Sequence, residues 1–278
     1  MTTNSVVDKN AAAVPQALLP HSGIGVLSGF RNIFAKELAD WFGTRRWWIQ
    51  TLIWLIIFNV VLVQVLFVST ALDPQASGGP DELYMSGLGV FFNLLALLGS
   101  IGVIILTQDE IIQEKQSGTA AWILTKPVSR ASFILSKLLS NVVGVLIVVI
   151  TVPALVAYLE IMVASGRGAP VLQYMLALAV ILLTLTFYIT LSLMLGTFFE
   201  QRGPVLAGTF GVLVGGLVLS QFSPKLTYIL PMSMDKIAMS IMQGQPLSLP
   251  MMYELITAGL FSVLFTVAAL WRFGDEEF

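Results

Sequence analysis

Few side chains in this 278-residue sequence could perform acid–base, nucleophilic or metal chemistry. It contains no cysteine and a single histidine, His21, which excludes disulfide bonds, thiol catalysis and sites built from several Cys or His ligands. No GxxxxGK(S/T) segment is present, so the chain lacks a phosphate loop for hydrolysing ATP. We therefore expect no catalytic residue, no metal ligand and no cofactor bound by this chain.

The most informative charged segment is residues 108–137, which reads QDEIIQEKQSGTAAWILTKPVSRASFILSK. Its first part, Asp109 to Gln116, is predicted to continue the preceding apolar helix into water. Gly118 can end that helix, because glycine tolerates the left-handed geometry of a helix C-terminus. Pro127 stops whatever follows, because the residue before a proline avoids helical angles. A short helix over Ala120 to Thr125 is the result.

This short helix is almost entirely apolar although charged residues surround it. An apolar helix held out from a membrane usually docks into another protein. The alternative is that Trp122 and Leu124 only touch lipid headgroups.

The elements around this segment are predicted from composition. Charged residues are 11% of the chain and hydrophobic residues 56%, against about 25% and about 45–50% in soluble domains. This excludes a soluble enzyme and a disordered chain, and the net charge of −2 gives no sign of a nucleic-acid partner.

Six apolar runs lack Asp, Glu, Lys and Arg and come close to the roughly 20 residues that cross a membrane. Runs such as Val142 to Val152 are continuously apolar, whereas a membrane β-barrel needs alternating polarity. We therefore predict an all-α integral membrane protein with one six-span domain over residues 26–278. The predicted spans are residues 47–70, 83–107, 138–158, 171–199, 204–222 and 255–271.

Positive charges predict the orientation of these spans. With six spans, eleven Lys and Arg residues fall on the side of the termini and three on the other side. Both termini should therefore be cytoplasmic, in the plasma (inner) membrane. Residues 1–25 are predicted to be a flexible tail.

Two segments outside the spans are also predicted to be helical. Residues 26–46 place apolar side chains at helical spacing, with Arg31, Lys36, Glu37 and Asp40 largely on the other side, which predicts an amphipathic interfacial helix. Residues 223–252 are too apolar for a free loop and are divided by prolines, which predicts short helices in the outer leaflet.

The 108–137 segment resembles the first cytoplasmic loop of ABC-2-type exporter permeases. The resemblance rests on Glu114-Lys-Gln-Ser-Gly118-Thr119, on Leu124-Thr-Lys-Pro127-Val-Ser-Arg130, and on Lys137 at the start of the third span. The six-span layout and the N-terminal helix match as well. The resemblance implies a coupling helix that seats in a groove of a separate ATPase subunit, which would bind ATP and Mg²⁺.

The resemblance also implies two permease halves, either two copies of this chain or this chain and a homologous one, embedded in lipid. The residues that we expect to contact the ATPase subunit are Glu114, Gly118, Thr119, Trp122, Lys126, Pro127 and Arg130. By the same resemblance, Asn93 and Ser100 are candidates for the substrate path. Gly211 and Gly215 form a GxxxG pattern, which permits close helix approach either between subunits or inside one subunit.

The sequence therefore predicts a permease subunit of an ATP-driven exporter. Two other classes stay open: a membrane scaffold that binds a soluble partner through the same loop, and a gradient-driven carrier or channel that acts alone. The spans contain no ionisable residue by these bounds, which argues against proton coupling.

Overall fold

The computed structural model describes residues 25, 27–73, 79–119, 122, 125, 128–222 and 229–275. All regular elements in these residues are helical, because a helix satisfies its own backbone hydrogen bonds in lipid. Within this part of the chain, six helical stretches are long and apolar enough to cross a membrane, which confirms the six-span, all-α prediction. They are span 1 (Trp47–Leu72), span 2 (Pro80–Thr107), span 3 (Arg130–Ser165), span 4 (Val171–Phe198), span 5 (Arg202–Phe222) and span 6 (Leu249–Gly274).

In the part of the chain that the structure describes, three shorter helices accompany the spans. The N-terminal helix is Phe30–Phe42, the stem helix that follows span 2 is Glu110–Gln116, and the far-end helix before span 6 is Met234–Met242. We call the end of the bundle that carries the first two the basic end, and the opposite end the far end. The far-end helix packs against spans 4 and 2.

Several helices are longer than the apolar runs that predicted them. Span 3 begins at Arg130 rather than residue 138 and continues to Ser165. Its start is capped by Ser129, whose hydroxyl accepts a hydrogen bond from the Ser132 amide at 3.0 Å. An apolar run marks only the part of a helix that suits lipid, whereas the helix continues through polar residues that pack on protein.

Spans 1 and 3 each contain a π-helical segment, Gln64–Val68 and Leu146–Thr151. A hydroxyl five residues on satisfies the first carbonyl of each: Ser69 donates to Gln64 at 2.8 Å and Thr151 to Leu146 at 2.7 Å. Pro153 follows the second segment and has no amide proton to donate, so the wider turn lies where the regular ladder is interrupted.

Span 4 is the centre of the bundle and packs against span 6, span 2 and the far-end helix. Aromatic rings fill its contact with span 2: Tyr174 lies 5.8 Å from Phe92 and 6.5 Å from Phe91, measured between ring centroids. Its hydroxyl donates to the Ala154 carbonyl of span 3 at 2.8 Å. Three spans are thereby held together around one tyrosine.

The N-terminal helix lies side by side with the first part of span 3. Gly144 makes this approach possible, because the Trp41 ring occupies the space that a Cβ at Gly144 would need. The Trp41 indole also donates to the Asn141 side chain at 3.2 Å. The residue pattern placed Glu37 largely on the side opposite the apolar residues of this helix, which was wrong: Glu37 is buried because span 3 supplies a cation for it.

We expect Gly144→Leu to destabilise the protein by about 1–3 kcal/mol, because the new side chain overlaps the Trp41 ring. The free energy of unfolding in detergent, measured by denaturant titration, tests this. Gly259→Leu in span 6 is the matched control, since a Cβ there meets no described atom within 4 Å. Equal effects of the two substitutions would contradict the close packing of Trp41.

Candidate functional site

A buried ion-pair cluster holds the stem helix at the basic end. Lys137 Nζ of span 3 lies 2.9 Å from Glu114 Oε1 of the stem helix and 3.2 Å from Glu37 Oε2 of the N-terminal helix. The Lys137 side chain is only 4% exposed. Since a buried charge is tolerated only when it is paired, these three helices must meet at this point.

Lys36 covers the cluster on its solvent side. Its Nζ lies 3.1 Å from Glu37 Oε1 and 3.4 Å from Glu114 Oε1. Partial burial by itself lowers the pKa of Lys36, but the neighbouring carboxylates outweigh it and hold the pKa above the usual value. Lys36 therefore stays charged throughout the physiological range.

A second polar connection lies next to the cluster. The Asn141 amide of span 3 donates to the Glu110 carboxylate of the stem helix and accepts from the Trp41 indole. Glu110 and Glu114 are one helical turn apart, as are Lys137 and Asn141, so two facing helices present matched pairs of polar groups.

The other side of the stem helix is attached to the end of span 4. Ile111 is buried and packs against span 4 at Gly196, where the absence of a side chain leaves room for it. The Lys115 ammonium donates to the Thr197 carbonyl at 3.0 Å, and the Gln116 amide donates to the Glu200 carbonyl at 2.9 Å. The stem helix is therefore joined to three elements at once: the N-terminal helix, span 3 and span 4.

The first described residues of the predicted coupling loop follow directly on the stem helix. Gly118 has a positive φ of 70°, which a side chain would strain. Thr119 begins a helical turn in which the Trp122 amide donates to the Gly118 carbonyl at 3.0 Å. Trp122 is 61% exposed. Lys126 and Pro127 lie outside the described residues.

Two of the residues predicted to contact a partner are engaged within the chain. Glu114 is 13% exposed and pairs with Lys137. The Arg130 guanidinium donates to the Gly274 carbonyl at the end of span 6, beside the stacked rings of Phe133 and Phe273, which lie 5.0 Å apart. Both residues brace the base of the loop, and their direct contact with a partner stays a prediction.

A cavity lies deeper in the bundle, between spans 2, 4 and 5 and beneath the far-end helix. Its empty volume, counted together with the part open to solvent, is about 430 Å³. Asn93 and Ser100, the two residues predicted for a substrate path, both line it. Asn93 donates to the Asp235 carboxylate at 3.2 Å, and Ser100 donates to the Ala96 carbonyl at 2.6 Å.

The GxxxG pattern of span 5 faces away from the described part of the chain. A Cβ at Gly211 or Gly215 would meet no described atom within 4 Å, whereas one at the neighbouring Gly216 would press on Met232 and Leu230. Val214, Val218 and Phe222 lie on the same side as the two glycines by helical spacing and are exposed by 53%, 51% and 82%.

Comparison with known families agrees with this architecture. The model of one family, described as ABC-2 family transporter protein, matches residues 31–278. The chain belongs to this family. As an ABC-2 protein it is a multi-pass membrane permease component of an ABC transporter, and members of the family generally pair with an ABC ATPase subunit. None of the curated proteins compared with the chain matches it.

The sequence did not reveal that Lys36 and Glu37 belong to the ion-pair cluster at the basic end, or that Asn141 belongs to the polar connection next to it. The signal for them was weak but present. Glu110 and Glu114 are spaced to share one helix face, and so are Lys137 and Asn141. Two such faces with complementary groups in neighbouring helices indicate that the helices could meet there.

We expect Lys137→Met to lower the free energy of unfolding by about 3–5 kcal/mol, because it leaves buried carboxylates without their cation. Lys36→Met is the matched control: its side chain reaches the same carboxylates but is 47% exposed, so its loss should cost at most about 1 kcal/mol. Denaturant titration of the two variants in detergent measures both. Equal losses would mean that the ion pairs of Lys137 are not what holds the stem helix.

Proposed function

We propose that this ABC-2 permease forms the substrate path of an ATP-driven exporter as half of a dimer, and that the 108–137 loop couples it to separate ATPase subunits. The attachment of the stem helix to three elements carries this proposal. A displacement of the loop would also move the elements joined to the stem helix, which are the N-terminal helix, span 3 and span 4. Force applied at the loop therefore reaches the transmembrane bundle.

The energy source belongs to the partner in this proposal. The chain has no phosphate loop, so ATP and Mg²⁺ would be bound by the ATPase subunit. That subunit would close on ATP, press on the loop near Trp122 and shift span 3 and span 4 against the rest of the bundle. The basic end would then face the cytoplasm, in line with the excess of Lys and Arg on that side.

Trp122 is the proposed anchor in the groove of the ATPase subunit. Exposed aromatic residues that enter a partner's pocket often dominate the binding energy, with losses of about 2 kcal/mol or more on truncation. Gly118 and Thr119 set the turn that presents this residue, while Lys126 and Pro127 follow it.

We expect Trp122→Ala to weaken association with the ATPase subunit by at least about tenfold. The tagged chain is purified gently from its native host, and mass spectrometry quantifies any co-purified subunit that carries a phosphate loop. Trp48→Ala is the control, because Trp48 is similarly exposed, by 64%, but lies in span 1. Undiminished recovery of the subunit with Trp122→Ala would refute the anchor, and a wild-type chain purified without any ATPase subunit would refute the coupling.

The open face of span 5 is the proposed contact between the two permease halves. Gly211 and Gly215 have no packing role among the described residues, whereas close packing of two helices requires such small residues. In a dimer of two copies, this face of one copy would pack against the same face of the other, as a two-fold interface requires.

We expect Gly211→Cys to form a disulfide-linked dimer in membranes treated with an oxidant, because the natural chain has no cysteine that could compete. Gly259→Cys is the control, since Gly259 is an equally uncrowded glycine in span 6. Non-reducing electrophoresis gives the dimer fraction. Cross-linking from Gly259 but not from Gly211 would place the interface elsewhere.

A further inference from the structure

The cavity between spans 2, 4 and 5 has a polar side and an apolar side. The polar side chains come from three elements: Asn93 and Ser100 on span 2, Thr184 and Tyr188 on span 4, and Asp235 on the far-end helix. The remaining walls are mostly leucine, methionine and proline side chains: Leu97, Leu213, Leu217, Pro231, Met232 and Met234. A ligand that matches both sides has an apolar body and a polar group.

Among the described residues that line this cavity, Asp235 is the only charged one. Its carboxylate accepts a hydrogen bond from a neutral amide, that of Asn93, and forms no ion pair within the described residues. The neighbouring Lys236 is exposed, and the nearby Glu254 accepts the Ser233 amide at 2.6 Å. The carboxylate of Asp235 therefore gives the cavity a negative group at its far end.

Tyr188 provides an independent sign of a ligand. Its side chain is 0% exposed, and its hydroxyl has no hydrogen-bond partner among the described residues. Buried hydroxyl groups are normally paired, because burial without a partner is costly. One helical turn further toward the basic end, the buried Ser192 hydroxyl also lacks a described partner. Span 4 thus presents unpaired polar groups at the cavity and one turn beyond it.

We propose that this cavity binds amphiphilic organic cations, with the cationic group beside Asp235 and the apolar body against the leucine and methionine wall. The Tyr188 hydroxyl accepts a hydrogen bond from an N–H of the ligand. Methionine side chains are flexible and polarisable, so the apolar wall adapts to bodies of different shape. The inference rests on the proposed transport function, since it names the substrate class for that path.

The test compares two dyes that share a xanthene core, the cation rhodamine 6G and the anion fluorescein. Both are titrated against the full transporter, with whatever subunits co-purify, in lipid nanodiscs without ATP, and binding is read by fluorescence anisotropy. We expect saturable binding of rhodamine 6G and none of fluorescein. Asp235→Asn should raise the Kd of rhodamine 6G at least about tenfold, because a neutral amide loses the charge-assisted contact.

Three further variants separate the site from general effects. Tyr188→Phe should raise the Kd by roughly threefold to tenfold, through loss of one hydrogen bond. Asp235→Glu should keep binding close to the natural value, because it keeps the charge. Asp81→Asn removes an exposed carboxylate at the same end of the bundle, 2.7 Å from Arg167, and should leave binding unchanged. It controls for cations that merely collect at the surface.

The outcomes distinguish the ligand class from the transport function. No saturable rhodamine binding, equal binding of fluorescein, or indifference to Asp235→Asn in a folded variant would overturn the cation site. ATP-driven transport of a different substrate could still be found in that case, and the exporter proposal would stand. Binding that depends on Asp235, in a chain that never associates with an ATPase subunit, would support the site and refute the exporter.

Discussion

A buried ammonium group, that of Lys137, joins the N-terminal helix and the stem helix to span 3. Removing a charge from water costs several kcal/mol, so the ammonium is stable there only while carboxylates from other helices surround it. Glu37 comes from the helix before span 1 and Glu114 from the helix after span 2, so both precede span 3 in the sequence. The positions of the three helices therefore depend on one another. The loop that follows Glu114 is positioned by this cluster.

Contacts on the other face of the stem helix also hold it in place and so help to position the loop. The Lys115 side chain donates to the Thr197 carbonyl in the last turn of span 4, a group that a helix leaves unpaired at its C-terminus, and the Gln116 side chain donates to the Glu200 carbonyl just beyond the span. Span 4 is also the span that packs on span 2, span 6 and the far-end helix. A continuous series of contacts thus runs from the stem helix through span 4 to the walls of the cavity, and this continuity favours coupling between the loop and the cavity.

Much of the architecture was readable from the sequence, and the errors have identifiable causes. The six spans were predicted because a run of apolar residues is a local property of the chain. The apolar run of residues 138–158 marks only the part of span 3 that suits lipid, and the helix starts earlier, at Arg130, where it packs against the N-terminal helix. Glu37 was placed on the wrong face because its partner lies 100 residues away. Asn93 and Ser100 were selected on family resemblance, and composition had no means of placing Asp235 next to them.

The sequence by itself determined that the chain is helical, spans a membrane six times and carries a polar loop with an apolar tip between the second and third spans. Hydropathy, proline and glycine act within a few residues of where they stand, so a linear reading captures them. Only the tertiary structure decided which polar side chains meet. The bond between Asn93 and Asp235 joins residues 142 positions apart. Such pairings depend on how whole helices pack, because a buried charge or amide takes its partner from whichever helix the packing brings within reach.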